Sequence, residues 1–315
     1  MNNLFVKENA FAITLIISII FLLVFYILSY FQLIQSTESL ALIGEASRWC
    51  ERVSGGVFRE PINTLTNLGF MVAGLYILHK LTNETSFNEF SGLNKITILY
   101  GVAVVYLGPG SMMMHGTNTE WGGWADNLSM VMYIIIPWLY NIYKMSNWTV
   151  NTFMQVYFSI VIFYAVMRWL FGDGMGIGLD LFGVSIGLWV VSEFLYRFWS
   201  PSMRFFSGFI GFLVMLIFGI YPAEVINNFA DYWWIVFFWL PGLLASRKPK
   251  GIRTYRWYFA GMVAYMSAFA IWLTGVPDSD TCNPDSLFQA HGFWHLLTAL
   301  STILFFYHYR SEKLI

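Results

Sequence analysis

Apolar runs of about 20 residues recur along the chain, and each is long enough to cross the hydrocarbon core of a bilayer as an α-helix. They lie at residues 11–33, 61–81, 94–115, 122–143, 151–171, 174–198, 254–275 and 288–308, with two shorter runs at 205–221 and 231–246. Hydrophobic residues make up 57% of the 315 residues and charged residues only 11%, which is far from the composition of a soluble domain. We therefore expect an all-α fold, a polytopic transmembrane helical bundle.

No low-complexity tract, Gly/Ser linker or internal repeat divides the sequence, which predicts a single membrane domain over residues 1–315. The first run lacks a small-residue cleavage site behind it, so we expect a membrane helix there rather than a signal peptide. Residues 1–48 would form this extra helix and an amphipathic segment. Phe198 and Thr254 must lie on the same side of the membrane, so both short runs cross or neither does. We favour ten helices, with eight helices and a re-entrant pair as the alternative.

Basic residues are unevenly divided between the two sets of loops, and the basic face is normally cytoplasmic. One face collects Lys7, Lys80, Lys95, Lys144, Arg197, Arg204, Arg247, Lys248, Lys250, Arg253, Arg310 and Lys313. We expect this face, with both termini, to be cytoplasmic. Cys50 and Cys282 fall on the opposite face, where an oxidising compartment would permit a disulfide. The net charge of −1 offers no basic surface for nucleic acid.

Three of the five histidines lie at the predicted non-cytoplasmic side of the membrane. His291 and His295 are four residues apart at the start of the last predicted helix, so both rings project from one face and can share a metal ion. His115 ends the third predicted helix at the same depth. Three imidazoles leave one position open on tetrahedral zinc, which is typical of a catalytic site. His79 and His308 lie near predicted cytoplasmic helix ends, where an imidazole needs no special role.

A hydroxyl and a carboxylate accompany these histidines. Ser111 lies one turn before His115, and Asp126 begins the following predicted helix. Two simpler roles stay open, because Ser111 could bond back to a helix carbonyl and Asp126 could cap its helix. A carboxylate at the edge of the hydrocarbon usually marks function, however. Combined with a metal, the pair supplies a base for water and a donor for an oxyanion, which indicates a hydrolase.

Five polar residues resemble, in type and spacing, the hallmark of the CREST superfamily of membrane hydrolases: Ser111-x-x-x-His115, Asp126 eleven residues later, and His291-x-x-x-His295. The segment WCERVSGGVFREPINTLTNLGF, residues 49–70, is similar to the alkaline ceramidase family in particular. The resemblance covers residues 49–130 and 282–308. It implies a seven-helix CREST-like core, to which this chain adds helices for about 8–10 spans in total.

The resemblance also implies a role for each of these residues. His115, His291 and His295 would bind zinc, Asp126 would orient and deprotonate a water molecule, and Ser111 would assist the oxyanion. Residues 49–308 would then form the catalytic bundle.

Further features follow from the same resemblance. Family members pair a cysteine of the N-terminal segment with one before the last helix, which supports a Cys50–Cys282 disulfide. They also bind calcium through acidic residues of the N-terminal segment, which Glu51 and Glu60 match. Arg48 stands where an Asp is expected, however, and Val53 lies near an expected Asn. These two departures argue against a calcium ion beside the zinc.

The leading hypothesis is a zinc-dependent intramembrane amidase that hydrolyses the N-acyl bond of ceramide, or of a related lipid amide, to a sphingoid base and a fatty acid. Two alternatives stay open. The same centre could cleave esters of phospholipids or GPI-type lipids, or the protein could be an adiponectin-receptor-like membrane receptor with structural zinc. The expected partner is a membrane lipid substrate, with no protein partner inferred. We expect the active site toward the non-cytoplasmic face.

Overall fold

The computed structural model describes residues 9–314; Lys7 and the N-terminus, both assigned above to the cytoplasmic face, lie outside them. The helices and strands are α1 Ala10–Tyr30, α2 Thr37–Ala41, α3 Pro61–Thr66, α4 Leu68–Thr82, α5 Lys95–Thr117, α6 Glu120–Met145, α7 Val150–Phe171, α8 Leu181–Arg197, α9 Pro201–Phe206, α10 Gly208–Ile217, α11 Pro222–Asn227, α12 Leu240–Leu244, β1 Gly251–Ile252, α13 Tyr255–Trp272, α14 Ala290–Arg310 and β2 Lys313–Leu314. Two 3₁₀ segments occur at Asp173–Gly176 and Trp233–Trp239. Each long apolar run is helical, which confirms the all-α prediction.

Among residues 9–314, four helical segments are long and apolar enough to cross a membrane: Ala10–Tyr30, Pro61–Thr82, Lys95–Thr117 and Val150–Phe171. The protein is therefore a polytopic membrane protein. Helices also occupy the other expected runs, and the total number of passes stays a prediction. Gly208–Ile217 and Trp233–Leu244 are both shorter than the roughly 20 residues that a crossing needs.

The run predicted from residue 174 becomes helical only at Leu181. The preceding loop places Gly172, Gly174, Gly176 and Gly178 at φ between 66° and 73°. Such left-handed backbone is accessible to glycine and interrupts a right-handed helix. The predicted start of this helix was therefore wrong by about two turns.

The described chain groups into two compact units. The first contains the residues up to Ser129 together with Arg253–Lys313, and the second contains Met130–Ile252 with the last residues. Within the first unit, α14 packs along α13 and α4, while α5 packs against α4, α3 and α1. Within the second unit, α8 packs against α10 and the Trp233–Trp239 segment. A single domain over the whole chain stays a prediction.

A tight approach of two helices shapes the first unit. Gly110 of α5 lies so close to α6 that an added Cβ would stand 2.4 Å from the Cβ of Ser129 and 2.9 Å from the carbonyl oxygen of Ala125. Asn118 closes α5 in the left-handed conformation, with φ 49° and ψ 47°, before α6 begins. The turn and the glycine together bring the end of α5 against the first turns of α6.

Candidate metal centre

Three histidines that are far apart in sequence meet inside the first unit. His115 comes from the last turn of α5, and His291 and His295 come from the first two turns of α14. One nitrogen from each ring lies within 4.8 Å of the others, and His115 Nε2 is 3.0 Å from His291 Nε2. All three side chains are buried, at 1%, 5% and 2% exposure respectively. This is a ligand group that could hold one metal ion.

The loop before α3 is fixed to the end of α5 by main-chain hydrogen bonds. The amide of Arg59 donates to the carbonyl of Gly116 at 3.1 Å, and the amide of Glu60 donates to the carbonyl of His115 at 2.9 Å. Pro61 then starts α3, where its fixed φ is favourable and its missing N–H costs no helical bond. These contacts place α3 beside the three imidazoles.

Residues of this loop and of α3 orient two of the rings. Glu60 Oε2 accepts from His115 Nδ1 at 2.8 Å, and the same oxygen accepts from Asn63 Nδ2 at 2.9 Å. Thr66 Oγ1 lies 3.0 Å from His295 Nδ1 and donates its own proton to the carbonyl of Ile62. It therefore accepts from the ring, so both Nδ1 atoms carry protons and both Nε2 lone pairs are free for a metal.

The third ring is held differently. His291 stacks on the indole of Trp49, with 4.4 Å between the ring centroids and 18° between the planes. Within the part of the chain that the structure describes, His291 Nδ1 is buried without a hydrogen-bond partner. The position of this ring thus depends on aromatic packing against the N-terminal segment.

Ser111 and Asp126 lie at the same centre. Ser111 Oγ is 3.5 Å from His295 Nε2, and the Ser111 hydroxyl lies close enough to the carboxyl of Asp126 to interact with it. Asp126 lies well inside α6, which begins at Glu120, so it does not cap that helix. The helix-cap role is therefore excluded for Asp126, while the catalytic roles of Ser111 and Asp126 stay predictions.

Glu51 and Glu60 have other partners than a cation. The Glu51 carboxylate accepts hydrogen bonds from the backbone N–H groups of Ile62 and Asn63 at 2.7 and 2.8 Å. These are donors in the first turn of α3 that have no partner within the helix. Burial raises the pKa of the Glu51 carboxyl above its usual value, and these two hydrogen bonds oppose that rise. With Glu60 bonded to His115, both carboxylates stabilise the protein around the histidines. The possible calcium site at Glu51 and Glu60 stays a prediction.

The Cys50–Cys282 disulfide is present and joins the N-terminal segment to the loop before α14. Beside it, the amide of Arg52 donates to the carbonyl of Pro284, and the Arg52 guanidinium forms a bidentate ion pair with Asp285 at 2.6 and 2.7 Å. The bridge therefore fixes the segment that stacks on His291 against the chain that leads into α14.

The donor set fits a zinc ion, since it consists of three imidazoles with two tautomers fixed by neighbouring groups.

The other two histidines lie away from this group. His79 is exposed, and His308 lies among the rings of Tyr255 and Tyr258 near the opposite end of α14. Sequence analysis missed the parts played by Trp49 and Thr66 and considered Glu60 only as a possible calcium ligand. Their grouping in residues 49–70 was the available clue.

A family model described as Ceramidase matches residues 46–313, which is most of the chain and contains every residue of the centre. No curated protein matches the chain.

Proposed function

The chain belongs to the Ceramidase family, and we propose that it is a zinc-dependent amidase that hydrolyses the N-acyl bond of ceramide or a related lipid amide. The products would be a sphingoid base and a fatty acid. The observation that carries this proposal is the buried group of three histidines, with Ser111 3.5 Å from His295 Nε2 and the Asp126 carboxyl near His115.

His115, His291 and His295 would hold the zinc through their Nε2 atoms. Zinc bound there supplies Lewis-acid polarisation and makes a nearby water more acidic. Three protein ligands leave a position open, whereas structural zinc sites normally have four protein ligands. The ligand count therefore favours an enzyme over a receptor with structural zinc.

The proton chemistry falls to Asp126. Its carboxylate would take a proton from the attacking water and later return it to the leaving amine, which must be protonated to depart. Ser111 can donate a hydrogen bond to the oxygen that becomes negative as the amide carbonyl is attacked. Both residues lie beside the histidines, Ser111 3.5 Å from His295 Nε2 and Asp126 near His115.

The surroundings suit a lipid. The helices of the first unit expose large apolar side chains, including Val72, Val263 and Leu300. Aliphatic tails can therefore lie against the bundle while the amide reaches the centre. From the distribution of basic residues, we place both termini in the cytoplasm and the centre toward the opposite face.

The test combines zinc quantification with hydrolysis of a short-chain fluorescent ceramide. Replacing His115, His291 or His295 by Ala should remove bound zinc and reduce turnover by at least about 10³-fold, since each change removes a ligand. His79→Ala is the matched control and should retain both. Turnover at the wild-type rate in a variant in which all three histidines are replaced by Ala would rule the proposal out.

A further inference from the structure

A cationic side chain lies one aromatic ring away from the metal centre. The guanidinium carbon of Arg48 is 4.7 Å from the centroid of the Trp49 ring, and that indole stacks on His291. Exposure increases along this series, from buried His291 through half-buried Trp49 to exposed Arg48. The three residues thus connect the centre with the surface of the protein.

The charge of Arg48 acts on the centre itself. It interacts electrostatically with the carboxyl of Asp126 and with the ring of His291. A molecule whose reacting bond lies beside Asp126 therefore places its neighbouring atoms within the field of this guanidinium.

The guanidinium of Arg48 is available for a ligand. Within residues 9–314, no carboxylate forms an ion pair with Arg48, and its contact with Trp49 uses the ring face rather than its N–H groups. Arg52, four residues on, shows the contrast, because Asp285 occupies its guanidinium in a bidentate pair. The side chain of Arg48 is exposed, so its guanidinium is accessible to a ligand.

We propose that Arg48 binds an anionic headgroup, so that the protein prefers lipid amides with a phosphate, sulfonate or carboxylate near the amide over neutral ceramide. A guanidinium matches such groups because two parallel N–H donors meet two oxygens. Five covalent bonds separate the amide carbon from the phosphorus of a ceramide 1-phosphate, a reach of about 6 Å when extended. That reach suits Arg48, which is separated from His291 by the ring of Trp49. The amide chemistry rests on the proposed function, whereas binding of the anion does not.

The experiment compares two fluorescent lipids of the same acyl chain, ceramide and ceramide 1-phosphate, in neutral detergent micelles. Binding is measured with Asp126→Asn as the parent, in which turnover is blocked. The parent should bind the phosphate form on the order of tenfold more tightly. Adding Arg48→Gln should reduce this preference below about twofold, while Arg48→Lys should keep part of it because the charge remains. Adding Arg52→Gln should leave it unchanged.

The outcomes separate the two proposals. Equal binding of the two lipids by the parent, or an undiminished preference in the Arg48→Gln variant, would overturn the role of Arg48. Equal loss of preference in the Arg52→Gln variant would overturn it too, since general surface charge would then be the cause. Absence of hydrolysis of either lipid by the wild-type protein would instead contradict the amidase, and the binding comparison would still be readable.

Discussion

Replacing Glu60 by Gln should weaken zinc binding without unfolding the protein. The carboxylate lies 2.8 Å from His115 Nδ1, and both side chains are buried, at 2% and 1% exposure. Gln preserves the shape and one acceptor oxygen, so Asn63 keeps a partner. The charge that favours the Nδ1–H tautomer and increases the basicity of Nε2 is lost, however. Such neighbours of metal ligands typically contribute 10- to 100-fold in affinity. Because Gln keeps the geometry, we expect about tenfold, or about 1.4 kcal/mol.

The assay is competition with a chelator of known zinc affinity, using purified protein in detergent, alongside a thermal unfolding scan. Glu51→Gln is the matched control, because Glu51 is also a buried carboxylate but bonds to backbone amides of α3. Glu51→Gln should lower the free energy of unfolding by about 1–3 kcal/mol and leave the zinc affinity within about twofold of the wild-type value. Wild-type zinc affinity in the Glu60→Gln variant would refute the reasoning. Loss of bound calcium with zinc retained would instead restore Glu60 as a calcium ligand.

Three further predictions concern the supports of the centre. Gly110→Ala should separate α5 from α6 and reduce turnover by about tenfold or more while zinc stays bound, and normal turnover would contradict the tight helix contact. The double variant Cys50→Ser and Cys282→Ser should lose about 2–4 kcal/mol of stability, seen in unfolding scans that no longer respond to reductant. The hydrogen bond from Arg52 holds the pKa of Asp285 below its usual value, so this pair stabilises the fold above about pH 4 and less as pH falls through the lowered pKa. The difference in melting temperature between wild type and Asp285→Asn should therefore shrink on acidification.

The helices were predictable because a membrane imposes one length scale. An apolar run of about 20 residues has few alternatives to a spanning helix, since lipid cannot satisfy free backbone groups. The start of α8 escaped prediction because residues 174–178 are apolar enough to read as part of the span, whereas Gly174, Gly176 and Gly178 adopt positive φ. Hydropathy registers composition, and it does not register backbone conformation.

The grouping of the three histidines was predictable for a similar reason. Counting crossings assigns His115 and the His291/His295 pair to one membrane face, and helical spacing directs the pair to one side of α14. The partners of those rings depend instead on where a six-residue helix, α3, docks. No hydrophobic or polar pattern in the sequence predicts where such a short helix docks. The positions of Glu60 and Thr66 beside the rings could therefore be read only from the structure.

The three histidines are synthesised at different times during translation. His115 and His291 are separated by 176 residues, so a ribosome must add most of the protein before the second and third ligands exist. A nascent or truncated chain that ends before α14 has one ligand of three and cannot form the centre, however well its earlier helices are inserted. On the proposed function, hydrolysis of membrane lipid would begin only once α14 has been synthesised.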